Sequence, residues 1–354
     1  MACIFFRIFS MIYLISFVFS DKFVVFAKED CKIADRERNL SDCYKNIFEP
    51  FWTNGKKGYV YGKTKSKNKI KIQYKHFLQK SSSPKIVIVH GLAESKTKYM
   101  ELSYDLYKQG LSVFTYDARG HGKSDYAHDK SANLVHVESF ETYVSDLDAY
   151  INEISDPDEK LILFGHSMGG SVVIAYSQKY PNKVKSIILS APMIKIDFGM
   201  NPRFFVKALT SLLVLTGNSE SFALGEERDF SLENYTFENS SYTSSVPRFE
   251  ILKKIVIENN FALKGVSWGW LNSALENEKI LREKNIERIK QIPIYLAQAK
   301  KEYTVSNSAQ HHFCLELHTN CSLDVYEGKH EIYFGTDKVR TQFLSNIKKF
   351  LFQD

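Results

Sequence analysis

The stretch that most constrains this chain is Gly165-His166-Ser167-Met168-Gly169-Gly170, set between an apolar run, Leu161 to Phe164, and a helical pattern from Met168 to Lys179. Gly-x-Ser-x-Gly between a buried strand and a helix is a nucleophile elbow. The sharp turn forces the serine into an unfavourable backbone conformation, and the flanking glycines relieve the crowding. The turn also lifts the hydroxyl off the sheet at a helix N-terminus, where amides and the helix dipole favour negative charge. Such an elbow belongs to a sheet of parallel strands covered by helices on both faces, so strand and helix should alternate along the chain.

They do. A β-branched run at Lys85 to Val89 precedes a helical pattern from Lys98 to Gln109, and Leu111 to Tyr116, Val184 to Ser190, Pro293 to Ala299 and Ser322 to Tyr326 read as further strands. Helical spacing recurs over Glu138 to Ile154, Ser306 to Leu317 and Asp337 to Leu351. Ahead of these, Gly58 to Lys63 and Lys69 to Phe77 alternate as a β-hairpin. From about Asp197 to Asn285 the rhythm breaks, with no buried strand, short helical stretches and an apolar run from Phe204 to Leu215. The expected fold is α/β: a mostly parallel, doubly wound sheet with an N-terminal antiparallel hairpin and a helical lid insertion. Residues 1–27 form a signal peptide or anchor, 28–56 an irregular polar lead-in, 57–196 and 286–354 the core, and 197–285 the lid.

Composition, with 44% hydrophobic and 14% aromatic residues, excludes a disordered chain. The net charge of +6 is unevenly spread, because Lys56 to Lys85 holds ten lysines and no acid. A strip of that kind is either a solvated hairpin or a surface for anionic membrane lipid. No zinc-finger spacing, RNA-binding signature or interleaved arginine points to nucleic acid. At the start, Arg7 followed by an apolar run from Ile8 to Phe19 suits the core of a secretory signal and is short for a membrane span. Cleavage after a small residue such as Ser20 or Ala27 would export the protein to the periplasm or medium, whereas a retained segment would associate it with the membrane. Apart from Cys3, the cysteines fall into close pairs, Cys31 with Cys43 and Cys314 with Cys321, which an exported chain can join as disulfides or keep as buried thiols.

A serine hydroxyl needs a base to take its proton. His330 follows the last strand, in Glu327-Gly328-Lys329-His330-Glu331, where a loop overhangs the carboxyl end of the sheet. The acid that orients the imidazole is expected at the end of the preceding strand, where Glu302 lies; Asp324 is a mid-strand rival. The oxyanion hole combines the amide of Met168 with that of Leu92 in the loop His90-Gly91-Leu92. His166 is expected to pack under the elbow, and the turn Asp117 to Gly122 to be scaffold. No metal spacing, nucleotide loop or redox motif is evident, so no cofactor is expected.

These residues sit in wider stretches: His90-Gly91-x-x-Glu94, Tyr99 to Gly110, Asp117-x-Arg119-Gly120-x-Gly122-x-Ser124, Val135-His136-Val137, Tyr143-Val144-x-Asp146-Leu147, Ala191-Pro192-Met193 and His330-Glu331-Ile332. In these the chain resembles the lysophospholipase and monoacylglycerol lipase branch of the α/β-hydrolases, most closely the bacterial membrane-associated lysophospholipases. The likeness runs from about residue 57 to 352 and includes Arg248-Phe249 and Gly265-Val266-Ser267-Trp268-x-Trp270 in the lid. It implies the α/β-hydrolase fold, a triad of Ser167, Glu302 and His330, and oxyanion donors Leu92 and Met168. Glu302 departs from the aspartate common in the wider family.

The expected function is serine-dependent cleavage of a carboxylic ester in a single-chain lipid, a lysophospholipid or monoacylglycerol. The alternatives are a small-ester esterase or aminopeptidase, or a binding protein on the same fold. Phe204, Phe205, Leu209, Leu212, Leu213 and Leu215 would line an acyl groove or form an ordinary lid core.

Overall fold

The computed structural model describes residues 31–63, 69–126, 134–223, 235–258, 265–283 and 285–352; the signal or anchor expected over 1–27 lies outside them. Short stretches of β-branched, aromatic and other apolar residues make the strands: β1 (Lys56–Lys63), β2 (Lys69–Phe77), β3 (Lys85–Val89), β4 (Ser112–Tyr116), β5 (Leu134–Val135), β6 (Leu161–His166), β7 (Val184–Ser190), β8 (Gly265–Val266), β9 (Ile294–Lys301) and β10 (Cys321–Lys329). The helices are α1 (Leu40–Cys43), α2 (Glu49–Asn54), α3 (Met100–Lys108), α4 (Glu141–Ile154), α5 (Met168–Lys179), α6 (Arg203–Leu215), α7 (Val246–Glu258), α8 (Trp268–Glu283), α9 (Asn307–Glu316) and α10 (Asp337–Phe352).

Eight strands form one sheet in the order β1-β2-β4-β3-β6-β7-β9-β10. Only β2 runs against its neighbours; the other pairings are parallel. Strands β4 and β6 are buried along their whole length, with apolar clusters on both faces of the sheet, as a doubly wound arrangement requires. The antiparallel hairpin leads and the α6 to α8 insertion falls between β7 and β9, in agreement with the fold expected from the sequence.

Two registers place the chemistry. Val89 at the end of β3 pairs with Gly165 in β6, so the loop after β3 lies beside the elbow. On the other side, Tyr326 pairs with Ala299 but Lys329 pairs with Lys301. One extra residue bulges from β10, and it brings His330 level with Glu302.

The structure corrects two expectations. The lead-in is not irregular, because α1, α2 and the π-helical stretch Tyr44–Phe48 that joins them bury Leu40, Cys43, Tyr44 and Phe48 against Met100, Ile251 and Ile255. Apolar residues at 40, 43, 44, 47, 48 and 51 have the helical period, hidden among charges. The lid does contain a buried strand, the two-residue β8 paired with β5, too short to leave a periodic signal. Cysteines pair as sequence neighbours, Cys31 with Cys43 and Cys314 with Cys321. Among the described residues no helix is long and apolar enough to cross a membrane.

Candidate active site

Ser167 joins β6 to α5 with φ +50° and ψ −118°, a conformation that costs a non-glycine residue about 1–3 kcal/mol. The surrounding backbone holds it there: its amide donates to Ser190 O (3.1 Å), and its carbonyl accepts from Met193 N (2.9 Å) and Gly170 N (2.9 Å). The glycines permit the close approach. A Cβ on Gly169 would stand 2.1 Å from the Val89 carbonyl oxygen, and one on Gly165 2.7 Å from Gly170 Cα. His166 packs beneath, with Nδ1 donating to Ser190 O at 2.9 Å. Burial, opposed in part by Glu94 and reinforced by His330, lowers its pKa to about 3, so the ring is a neutral prop.

His330 Nδ1 donates to Glu302 Oε2 at 2.6 Å, and both side chains are almost wholly buried. The other Glu302 oxygen accepts from the amides of Tyr303 (2.9 Å), Thr304 (2.8 Å) and Val305 (3.4 Å). Those amides fix the carboxylate, which fixes the ring with its proton on Nδ1 and Nε2 left as the basic atom. Asp324 is engaged elsewhere, accepting from Tyr295 OH (3.0 Å) and Asn346 Nδ2 (2.9 Å).

On the facing side, the Ala118 amide donates to His90 Nε2 (2.9 Å), so Nδ1 carries the proton and donates to Gly91 O (2.7 Å). Burial lowers the pKa of His90 and keeps this neutral tautomer. In a trans peptide the carbonyl and the following amide point apart, so anchoring Gly91 O turns the Leu92 N–H away from His90. Glu94 secures the same loop by accepting from Gly91 N (2.7 Å) and Tyr99 OH (2.6 Å). Leu92 lines the central cavity, and Met168 is the first residue of α5 directly behind Ser167.

The cavity has a volume of about 750 Å³, with Ser167, His166 and His330 among its lining residues. Apolar side chains from the insertion make much of its wall, including Leu209, Leu252, Ile255, Val256, Trp268 and Leu271. Of the six residues expected to line a groove, Phe205 and Leu209 do so, and Leu213 packs on the core. Phe204, Leu212 and Leu215 face solvent, with 78%, 56% and 84% of their surface exposed.

The family model Hydrolase_4, described as serine aminopeptidase S33, matches residues 80–337. The chain belongs to this family. A probable lysophospholipase L2 of Haemophilus influenzae is 28% identical over 308 residues, covering 85% of this chain and 94% of the relative. Lysophospholipase L2 of Escherichia coli K12 is 28% identical over 297 residues, covering 79% of this chain and 84% of that one. A soluble variant of the Saccharomyces cerevisiae monoglyceride lipase, solved with a substrate analogue, has a TM-score of 0.64 at 18% identity, covering 84% of this chain and 96% of that chain. That likeness shows the α/β-hydrolase fold.

This Hydrolase_4 chain also carries site residues to which the sequence assigned no role. Lys98 lies between two carboxylates, Glu94 Oε1 (2.6 Å) and Glu331 Oε1, and all three residues line the cavity. Burial alone would lower the Lys98 pKa, but the two carboxylates outweigh it and the pKa is raised. Burial raises the pKa of Glu331, opposed by Lys98. Glu94 was visible in the quoted motif, and only its contact with a backbone amide shows what it does. The turn Asp117 to Gly122 is scaffold in its contacts: Asp117 accepts from Lys96 N (2.7 Å) and Lys123 N (2.9 Å), and Arg119 grips Asp146.

Proposed function

We propose that this protein is a serine hydrolase that cleaves the carboxylic ester of a single-chain lipid, a lysophospholipid or a monoacylglycerol, through an acyl-enzyme. The observation that carries this reading is a buried His330–Glu302 pair opening with Ser167 onto a cavity walled largely by apolar residues. As Ser167 Oγ attacks the acyl carbon, its proton passes to His330 Nε2, and Glu302 stabilises the imidazolium. The carbonyl oxygen becomes an oxyanion facing the amides of Leu92 and Met168, each such donor being worth about 100-fold to 1000-fold in rate. His330 then protonates the departing alcohol, and water, deprotonated by the same ring, releases the fatty acid. The apolar wall supplies affinity, at about 0.8 kcal/mol per buried methylene. Relatives named lysophospholipase support the ester reading over the peptidase in the family's description.

The same reading takes the enzyme to a lipid surface in an exported compartment. Its support is the solvent-facing apolar side of α6, the lysines of β1 and β2, and the two disulfides. A panel of lysophosphatidylcholine, monoolein, p-nitrophenyl butyrate and an aminoacyl amide tests the function. The lipid esters should give the highest kcat/KM, and their turnover should vanish in Ser167→Ala. Preference for the amide, or for the short ester over both lipids, would overturn the reading.

A further inference from the structure

We propose that the segment from Cys31 to Asn54, its first part closed by the Cys31–Cys43 disulfide, is a brace that positions α7 and so sets how long an acyl chain the cavity accepts, with Arg36 and Arg248 as positioning residues. The inference rests on the acyl-cavity reading above. It concerns a segment that precedes the residues matched by the family model.

Helix α7 is a partition. Leu252, Ile255 and Val256 line the cavity, while Ile251 and Ile255 pack against Leu40, Cys43, Tyr44 and Phe48 of the segment. Ile255 therefore touches both, and a shift in the segment reaches the cavity wall through one side chain. Close-packed interiors transmit such shifts and do not absorb them.

Polar contacts tie the same parts together. Arg36 Nη1 donates to Glu101 (2.8 Å), and Arg36 reaches both oxygens of Asp105 at 2.9 Å. Arg248, on α7, donates to both oxygens of the same Glu101 (2.9 and 2.8 Å), to Asp337 (2.8 Å) and to Gly335 O (2.8 Å). One carboxylate thus joins the segment to α7. Glu37 makes a second link, accepting from Ser245 Oγ just before α7 and from the Asp337 amide (2.9 Å). Arg36, Glu101, Asp105 and Arg248 are all buried, so these pairs hold as a unit, because removal of one member strands a charge away from water.

The disulfide closes the assembly. Arg36 Nε and Nη2 donate to the Cys31 carbonyl (3.2 and 3.1 Å), and Cys31 is bonded to Cys43, which packs in the cluster facing α7. Opening the bond frees the end that supports the Arg36 guanidinium and leaves catalytic residues untouched. Cys314–Cys321 joins the end of α9 to the start of β10 and serves as the control.

The test measures KM and kcat for p-nitrophenyl laurate and butyrate in the full chain, in Cys31→Ser/Cys43→Ser and in Cys314→Ser/Cys321→Ser. The first variant should raise KM for laurate about tenfold, the contact of roughly two methylenes, with butyrate kinetics unchanged. The control variant should keep the parent's ratio. Glu37→Gln, which keeps the disulfide, should raise the laurate KM in the same direction by less, and it remains decisive if the cysteine variant does not fold. An unchanged laurate-to-butyrate ratio in both brace variants, or an equal loss on both esters, would overturn the proposal. If the parent itself shows no preference for laurate, the acyl-cavity reading fails first and takes the brace with it.

Discussion

At the scale of single residues, His166 and His330 lie with ring centroids 4.8 Å apart yet hold different positions: His166 Nε2 stands 3.8 Å from Glu94, whereas His330 is held by Glu302 at 2.6 Å. The His166 pKa falls from 6.5 to about 3 on folding, mainly through burial. As pH drops below 6.5, the unfolded chain takes up a proton that the folded chain refuses, so folded stability falls with pH across that window. The slope from this ring approaches about 1.4 kcal/mol per pH unit. Urea midpoints between about pH 7 and pH 5 should therefore show a shallower decline in His166→Asn than in the parent, the other titrating groups being common to both. Parallel declines would show that His166 titrates normally in the fold. The turn that carries Ser167 and the meeting of Glu302 with His330 were legible in the sequence because chain order and strand ends restrict such residues to few positions. His90, Glu94 and Lys98 were not, because each acts on a backbone group or a buried charge that is distant in sequence, and no motif states such a contact.

At the scale of elements, the strands and the helices that cover them were legible from period and length, including the hairpin and the break after β7. The bulge in β10 was not, since one added residue changes register without changing composition, yet it sets His330 beside Glu302. The order in the lead-in was not legible, because its apolar residues keep helical spacing among many charges and the buried partners of Arg36 come from α3, far along the chain. Helix α6 shows what periodicity can and cannot distinguish. Both of its faces are apolar; one turns Phe205 and Leu209 to the cavity and the other turns Phe204, Leu212 and Leu215 to water. A helix apolar on its exposed side would gain cover against a lipid surface, the contact proposed above. Leu212→Ser/Leu215→Ser should reduce sedimentation with phosphatidylglycerol–phosphatidylcholine vesicles about tenfold while leaving hydrolysis of a soluble short-chain ester unchanged. Equal vesicle binding by variant and parent would remove α6 from the contact.

Across the whole molecule, the sheet brings three loops to one edge: the loop after β3 with Leu92, the elbow after β6 with Ser167, and the ends of β9 and β10 with Glu302 and His330. The insertion roofs them, and the segment before the hairpin supports the roof through α7. One buried charge cluster, Arg36, Glu101, Asp105, Arg248 and Arg340, thus joins parts of the chain from residue 36 to residue 340. The central claim is that Ser167 carries the acyl group between the two halves of the reaction. Its most direct test is rapid acid quench of the enzyme turning over p-nitrophenyl laurate, followed by mass spectrometry of the digested peptides. The account predicts a lauroyl adduct on the peptide holding Ser167, formed in the parent and absent from Ser167→Ala. Sustained hydrolysis by Ser167→Ala, or an acyl group recovered on another residue, would contradict it.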